Sequence, residues 1–314
     1  MSERLRMRVA GMAWTVRVAG RGRPVLFLHG FSGSGLSWAG IAGLGGRFRA
    51  IVPDLPGHGG TGWEVVPARD GGAGNPGVAG TLDAPASVGG GAAGTAADPR
   101  ATRAPDARPR ASIERTADDL AAIVRRLGAE RVDVVGYSMG ARVALRLAIA
   151  HRDLVRRLVL EAPSAGIADA AARAERAAAD AERARLAVEE GIEAFAARWE
   201  AEPVLAGEAT LPAEARARQQ AIRRAHTPLG LAASLVYGGQ GAMEPLHGRL
   251  AHVVAPALVV VGADDPARAR AEEVASAIPG ARLAVVAGAG HAPHLERAER
   301  FHALLLDFLT EAAA

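Results

Sequence analysis

Residues 131–146 read RVDVVGYSMGARVALR, and the character of the chain changes in their middle. Val132, Val134 and Val135 form a short β-branched run of the kind that builds a buried strand, whereas residues 141–150 are rich in Ala, Leu and Arg and predict a helix. Ser138 therefore falls at a strand-to-helix turn, between Gly136 and Gly140. So sharp a turn strains the serine backbone, and glycines two positions to either side leave room for strand and helix to approach each other. This is the nucleophile-elbow pattern G-x-S-x-G. It raises a hydroxyl above the end of a sheet and sets the next backbone N–H, that of Met139, beside the reacting atom.

Working outward, the same alternation of strand and helix continues. Residues 24–30, PVLFLHG, predict a buried strand ending in the glycine-rich loop FSGSG at 31–35. The loop spacing, G-x-x-G-x-G, is not a dinucleotide fingerprint, and the loop reads as a set of backbone N–H donors. Residues 7–18 predict an edge hairpin turning near Gly11, and residues 49–55 a further strand followed by the turn PGHGG. His29 and His58 each lie in a glycine loop, where a structural hydrogen-bonding role is expected. Ser112 is the expected N-cap of a helix carrying Ile113, Thr116, Leu120, Ile123, Val124 and Leu127 at helical spacing, with Gly128 as its stop. Beyond the elbow, strands are expected at 158–161, 256–262 and 281–286. A closing amphipathic helix at 298–309 turns Phe301, Leu304, Leu305, Phe308 and Leu309 to the core. This order is that of a parallel sheet covered on both faces.

Two segments interrupt it. Residues 64–111 shift to Gly, Ala, Pro, Asp and Arg, cannot bury enough apolar surface to offset their ordering entropy, and are predicted to be a disordered insertion. From 168 to about 248 strand signals stop and Ala, Arg and Glu dominate, with breaks at Pro203, Pro212 and Pro228, as expected of a cap of several helices. The expected organisation is thus a core in two parts, 1–63 with 112–166 and then 249–314, interrupted by the insertion at 64–111 and the helical cap at 167–248.

Composition narrows the chemistry. The 314 residues contain no cysteine, so disulfides, thiolate metal sites and cysteine nucleophiles are all absent. All 37 basic residues are arginine, which removes the P-loop lysine and Schiff-base chemistry. The net charge is only +3, with acidic residues mixed among the arginines, so no nucleic-acid partner is expected. The N-terminus shows no export signal, and no run approaches the roughly 20 apolar residues of a membrane span, so a cytoplasmic protein without a membrane partner is expected. No His and carboxylate cluster has metal-ligand spacing, and neither metal nor cofactor is expected.

A serine hydroxyl becomes reactive when a histidine takes its proton and a carboxylate orients that histidine. The segments LHGFSGSG, DLPGHG, GYSMG, GADD and GAGHAPHLE together resemble the α/β-hydrolase fold family. That resemblance implies the chain order Ser, acid, His, and hence Ser138, Asp265 and His291 as the catalytic residues. Asp264 is the alternative acid and His294 the alternative base; the spacing Gly-x-x-Asp after the strand favours Asp265, and the position directly after the glycines favours His291. Backbone N–H groups of Phe31 and Met139 are the expected oxyanion donors.

A narrower resemblance rests on YSMGAR at 137–142, on Trp199-Glu200 followed by Pro203, and on Arg223 ahead of PLGLAASL at 228–235. These are similar to 2-succinyl-6-hydroxy-2,4-cyclohexadiene-1-carboxylate (SHCHC) synthases of menaquinone biosynthesis, lyases on a hydrolase fold that expel pyruvate from a small polycarboxylate. Arg142 lies four residues beyond Ser138, on the same helix face, and arginine binds carboxylates through paired hydrogen bonds. The resemblance adds Arg176 (or Arg173) and Arg223 as carboxylate ligands, with Tyr137 and Trp199 lining the pocket. The alternative function is a carboxylic-ester or lactone hydrolase working through an acyl-serine.

Overall fold

The computed structural model describes residues 3–40, 46–63 and 109–311. Of the expected insertion, residues 64–108 lie outside the described residues. Its last three, 109–111, form a turn in which the Ser112 N–H donates to Pro109 O at 3.0 Å.

Eight strands are described: β1 (Glu3–Val9), β2 (Met12–Gly20), β3 (Arg23–Leu28), β4 (Phe48–Pro53), β5 (Val132–Tyr137), β6 (Val155–Glu161), β7 (Ala257–Gly262) and β8 (Arg282–Val286). They form one sheet in the order β1-β2-β4-β3-β5-β6-β7-β8. The β1–β2 and β2–β4 pairs are antiparallel, and every pair from β4 to β8 is parallel. The hairpin turn uses positive φ at Ala10 and Gly11.

The helices are α1 (Ile113–Arg126), α2 (Met139–Ala150), α3 (Ala170–Glu200), α4 (Ala213–Arg224), α5 (Pro228–Gly238), α6 (Arg268–Ala277), α7 (Pro293–Glu296) and α8 (Ala298–Thr310). Ser112 caps α1, its hydroxyl accepting from the Arg115 N–H at 3.2 Å. β3 and β7 are apolar at consecutive positions because both faces of the sheet are covered there, whereas the edge strand β8 is largely exposed. Leu26, Leu28, Val132 and Val134 join the core under α1 and α2, whereas Val25, Phe27 and Val135 join the core under α8 with Phe301, Leu305 and Phe308. The expected α/β-hydrolase architecture is the one observed.

β6 pairs directly with β7, so the helices between them, α3 to α5, are inserted between neighbouring strands. α3 packs on α5 through Ala184, Ala187, Phe195, Leu231, Ala232 and Leu235. Gly191, at φ 84°, breaks the course of α3, because an L side chain there is strained. None of the helices among the described residues is long and apolar enough to cross a membrane.

Candidate active site

Ser138 joins β5 to α2 at φ 51°, ψ −107°, a region that a non-glycine residue enters only under constraint. Two glycines supply the constraint. A Cβ at Gly136 would lie 2.5 Å from Gly140 O, and a Cβ at Gly140 would lie 2.2 Å from Leu28 O. With no side chain at either place, α2 leaves the strand at once and its first turn packs against the end of β3.

The loops after β7 and β8 bring two more groups to this corner. They also meet backbone to backbone, since a Cβ at Gly262 would lie 2.0 Å from Gly290 O. As a result Asp265 Oδ2 lies 2.9 Å from His291 Nδ1, and His291 Nε2 lies 3.0 Å from Ser138 Oγ. The carboxylate can only accept, so Nδ1 carries the proton and Nε2 is free to accept from the serine hydroxyl. The second oxygen of Asp265 accepts from the Ala267 N–H at 2.8 Å, which fixes the carboxylate plane.

The alternatives from the sequence go elsewhere. Asp264 is exposed. His294 is buried, its Nδ1 donating to Glu161 Oε1 at 2.9 Å and its backbone N–H to the same oxygen at 2.8 Å.

Ser138 and His291 open onto a cavity of about 340 Å³ between the ends of the strands and the cap helices. Phe31 and Met139, the expected oxyanion donors, line it, as do Tyr137 and Trp199. Met139 is the first residue of α2, where backbone N–H groups have no partner within the helix. The Tyr137 ring packs at 5.5 Å from His291 and 4.7 Å from His294, and burial pushes its hydroxyl well above the ordinary tyrosine range. Trp199 stands edge-to-face on Phe31 at 4.9 Å, with its indole N–H buried and unpartnered.

The arginines divide. Arg142 lines the cavity at 7% exposure, donating to Gly238 O at 2.9 Å, and among the described residues no carboxylate lies within ion-pairing distance. Burial, and then the neighbouring charge of Arg176, lower its pKa to about 10. Arg176 also lines the cavity, its Nε 2.8 Å from Asp180 Oδ1. Arg173 instead caps the entry to α3, donating to Ile167 O and Ala168 O. Arg223, expected as a substrate ligand, is not among the residues lining the cavity; it is buried against Glu208, with Glu200 at 3.7 Å. Glu208 takes its Nη2, and Glu200 is shared with Arg224 at 2.7 Å.

The sequence reading did not single out Asp180, Arg183, Glu202, Gln240 or Arg270, all of which line the cavity. Asp180 is buried and takes Arg176 on one side and Arg183 on the other, the latter at 3.6 Å. The i,i+4 and i,i+3 spacing of these three in one helix was the available signal. No group of three or more His, Asp and Glu suited to a metal ion occurs among the described residues.

The profile of the alpha/beta hydrolase family matches residues 25–304. The chain belongs to that family. This α/β hydrolase is 30% identical to a Bacillus subtilis (strain 168) protein provisionally named 2-succinyl-6-hydroxy-2,4-cyclohexadiene-1-carboxylate synthase, over 91% of this chain and 90% of the relative. It is 25% identical to the enzyme of that name from Serratia proteamaculans (strain 568), over 91% and 93% of the two chains. Among solved structures, MenH from S. aureus superimposes with a TM-score of 0.75 at 25% identity, covering 94% of this α/β hydrolase and 97% of that chain.

Proposed function

We propose that this α/β hydrolase eliminates pyruvate from 2-succinyl-5-enolpyruvyl-6-hydroxy-3-cyclohexene-1-carboxylate, giving SHCHC, with Ser138 as the general base. The observation that carries the reading is Arg142: a buried guanidinium without a carboxylate partner among the described residues, facing the same cavity as Ser138 and His291. A desolvated cation is costly unless an anion meets it, and a substrate carboxylate is such an anion. Its place one turn into α2 sets it beside the reacting hydroxyl. The names of the relatives point the same way.

In this reading His291 takes the hydroxyl proton of Ser138 while Asp265 holds the imidazole and stabilises the cation that forms. The serine oxygen removes the proton from ring carbon C2; its electron pair forms C2=C3, the C3=C4 pair moves to C4=C5, and the C5–O bond to the enolpyruvyl group breaks. Pyruvate leaves as its enolate, which takes up a proton. Negative charge developing on the substrate meets the Phe31 and Met139 N–H groups, while Arg142 and Arg176 hold its carboxylates.

The same serine could attack a carbonyl, which is the ester or lactone hydrolase reading. Pyruvate release coupled to lactate dehydrogenase separates the two. Wild-type protein should release pyruvate from the substrate, and Ser138→Ala should lose at least roughly a thousandfold in kcat. Fast turnover of simple esters with an acyl-enzyme burst, and no pyruvate, would establish the hydrolase instead.

A further inference from the structure

Three histidines that take no part in the proton transfers surround the loop bearing Phe31. His29 directly follows β3, His58 lies in the turn after β4, and His226 belongs to the cap, between α4 and α5. All three are buried, and they form a row with ring centroids 5.1 Å apart from His29 to His58 and again from His58 to His226.

Each holds a different peptide group of the loop. His29 Nδ1 lies 2.8 Å from Gly30 O, the carbonyl of the peptide whose N–H belongs to Phe31. The Ser32 N–H donates to His58 Nε2 at 3.1 Å, and His226 Nε2 donates to Ser32 O at 3.0 Å. Three successive peptides, from Gly30 to Gly33, are thus pinned by three rings. Each ring's other nitrogen is engaged with backbone as well: the Leu55 N–H on His29, Pro56 O on His58 and the Gly59 N–H on His226. Every ring therefore donates once and accepts once, the pattern of a neutral imidazole with a fixed tautomer.

The loop needs such a hold. Ser32 sits at φ 60°, a conformation that a serine keeps only when its surroundings determine it. Because a trans peptide is planar, fixing Gly30 O at one end fixes the direction of the Phe31 N–H at the other. The charged groups around the row are themselves occupied. Asp54 accepts from Gly35 N–H, Gly60 N–H and Arg17, and Arg223 is paired with Glu208. The row does not owe its order to a charge partner of its own.

His226 gives this arrangement its reach. Where it enters α5, the cap meets the turn after β4 without intervening side chains, a Cβ at Gly57 lying 2.2 Å from Gly230 O. The Phe31 ring in turn packs on cap residues Trp199 and Phe195. We propose that His58 and His226 are positioning residues that set the Phe31 N–H for charge stabilisation, and that through His226 the cap governs the geometry of the oxyanion loop. The inference rests on Phe31 being an oxyanion donor in the reading above.

The test separates Gln from Asn at position 226. Gln can place its amide N–H where Nε2 stands and still donate to Ser32 O; Asn reaches only the Nδ1 position and keeps the bond from Gly59. We expect H226N to lose about 10- to 100-fold in kcat with KM within about twofold of wild type, because displacing a donor by a fraction of an ångström weakens only transition-state contacts. Phenylboronic acid, which becomes anionic on the serine, should bind H226N weaker by a similar factor. Succinate, a ground-state carboxylate ligand, should bind unchanged, and H226Q should recover most of the loss. Wild-type kcat in H226N overturns the proposal, as does H226Q as damaged as H226N, or a parallel loss of boronate and succinate affinity. A wild-type protein that binds no boronate and turns over neither the lyase substrate nor simple esters overturns the functional reading itself, and the positioning role with it.

Discussion

Arg142 in α2 and Arg223 in α4 are equally hidden from solvent, at 7% and 5% exposure, yet they are opposite cases. Arg223 is surrounded by carboxylates from its own cap, Glu208 and Glu200. Arg142 has a backbone carbonyl and a thioether sulfur for partners, and its guanidinium is pushed down to about 10 by burial. Burial alone therefore does not mark a binding arginine. The distinguishing property is whether the fold itself supplies the anion. For Arg223 the cap's own carboxylates offset the desolvation; for Arg142 an anionic ligand in the cavity would do so, and Arg176, which shares its charge with Asp180, stands between the two cases.

Substituting each of the two tests the contrast. Arg223→Ala strands Glu208 in a buried site, and removing one partner of such a pair costs about 3–5 kcal/mol, so a large fall in the urea midpoint is expected. A double-mutant cycle with Glu208→Ala should return much of the loss. The elbow depends on backbone contact instead of charge. Gly140→Ala drives a Cβ against Leu28 O and His29 O, and we expect it to destabilise by roughly 2–3 kcal/mol and to disable the serine as α2 shifts. Arg142→Ala should leave thermal stability nearly untouched, since it removes an unmatched buried charge, while raising KM about 10- to 100-fold. Lysine at 142 should not rescue it, because one ammonium cannot reproduce a two-toothed contact. Equal stability losses in Arg142→Ala and Arg223→Ala would erase the distinction.

The same contrast explains what could be read from the sequence. Ser138, Asp265 and His291 are placed by strand ends and glycine contacts, which are local and leave marks: a β-branched run, two glycines at fixed offsets, a Gly-x-x-Asp turn. The two-faced burial of β3 and β7 was legible for the same reason, as unbroken apolar runs. Arg142 was legible from the resemblance carried by residues 137–142 together with helix geometry, which sets it on the Ser138 face. Cap contacts leave no comparable mark. In an arginine-rich cap, the partner of Arg223 is fixed by how α4 packs on the segment holding Glu208, fifteen residues upstream, and no periodicity encodes that. His226 gave no signal either, because its partner Ser32 lies 194 residues away. The Arg176–Asp180–Arg183 group was visible in principle, since its members share one helix at fixed spacing.

The histidine row adds an acid sensitivity that neither arginine provides. Burial lowers His29 to about 4, pushes His58 well below its ordinary value and lowers His226 as well. In the unfolded chain each titrates near 6.5. Between about pH 6.5 and 4 the unfolded state therefore binds more protons, so stability is fully present above 6.5 and declines as the solution is acidified. Each histidine contributes a slope of up to about 1.4 kcal/mol per pH unit. Urea unfolding at pH 7.5, 6.0 and 5.0 should show a steepening loss in wild type. In H226Q one of the three titrating groups is gone while the bond to Ser32 O is kept, so the slope should be shallower than in wild type with little change at pH 7.5. A wild-type midpoint that does not move between pH 7.5 and 5.0 would mean that the folded and unfolded chains take up protons alike, and would remove the row's claim to hold the loop by neutral imidazoles.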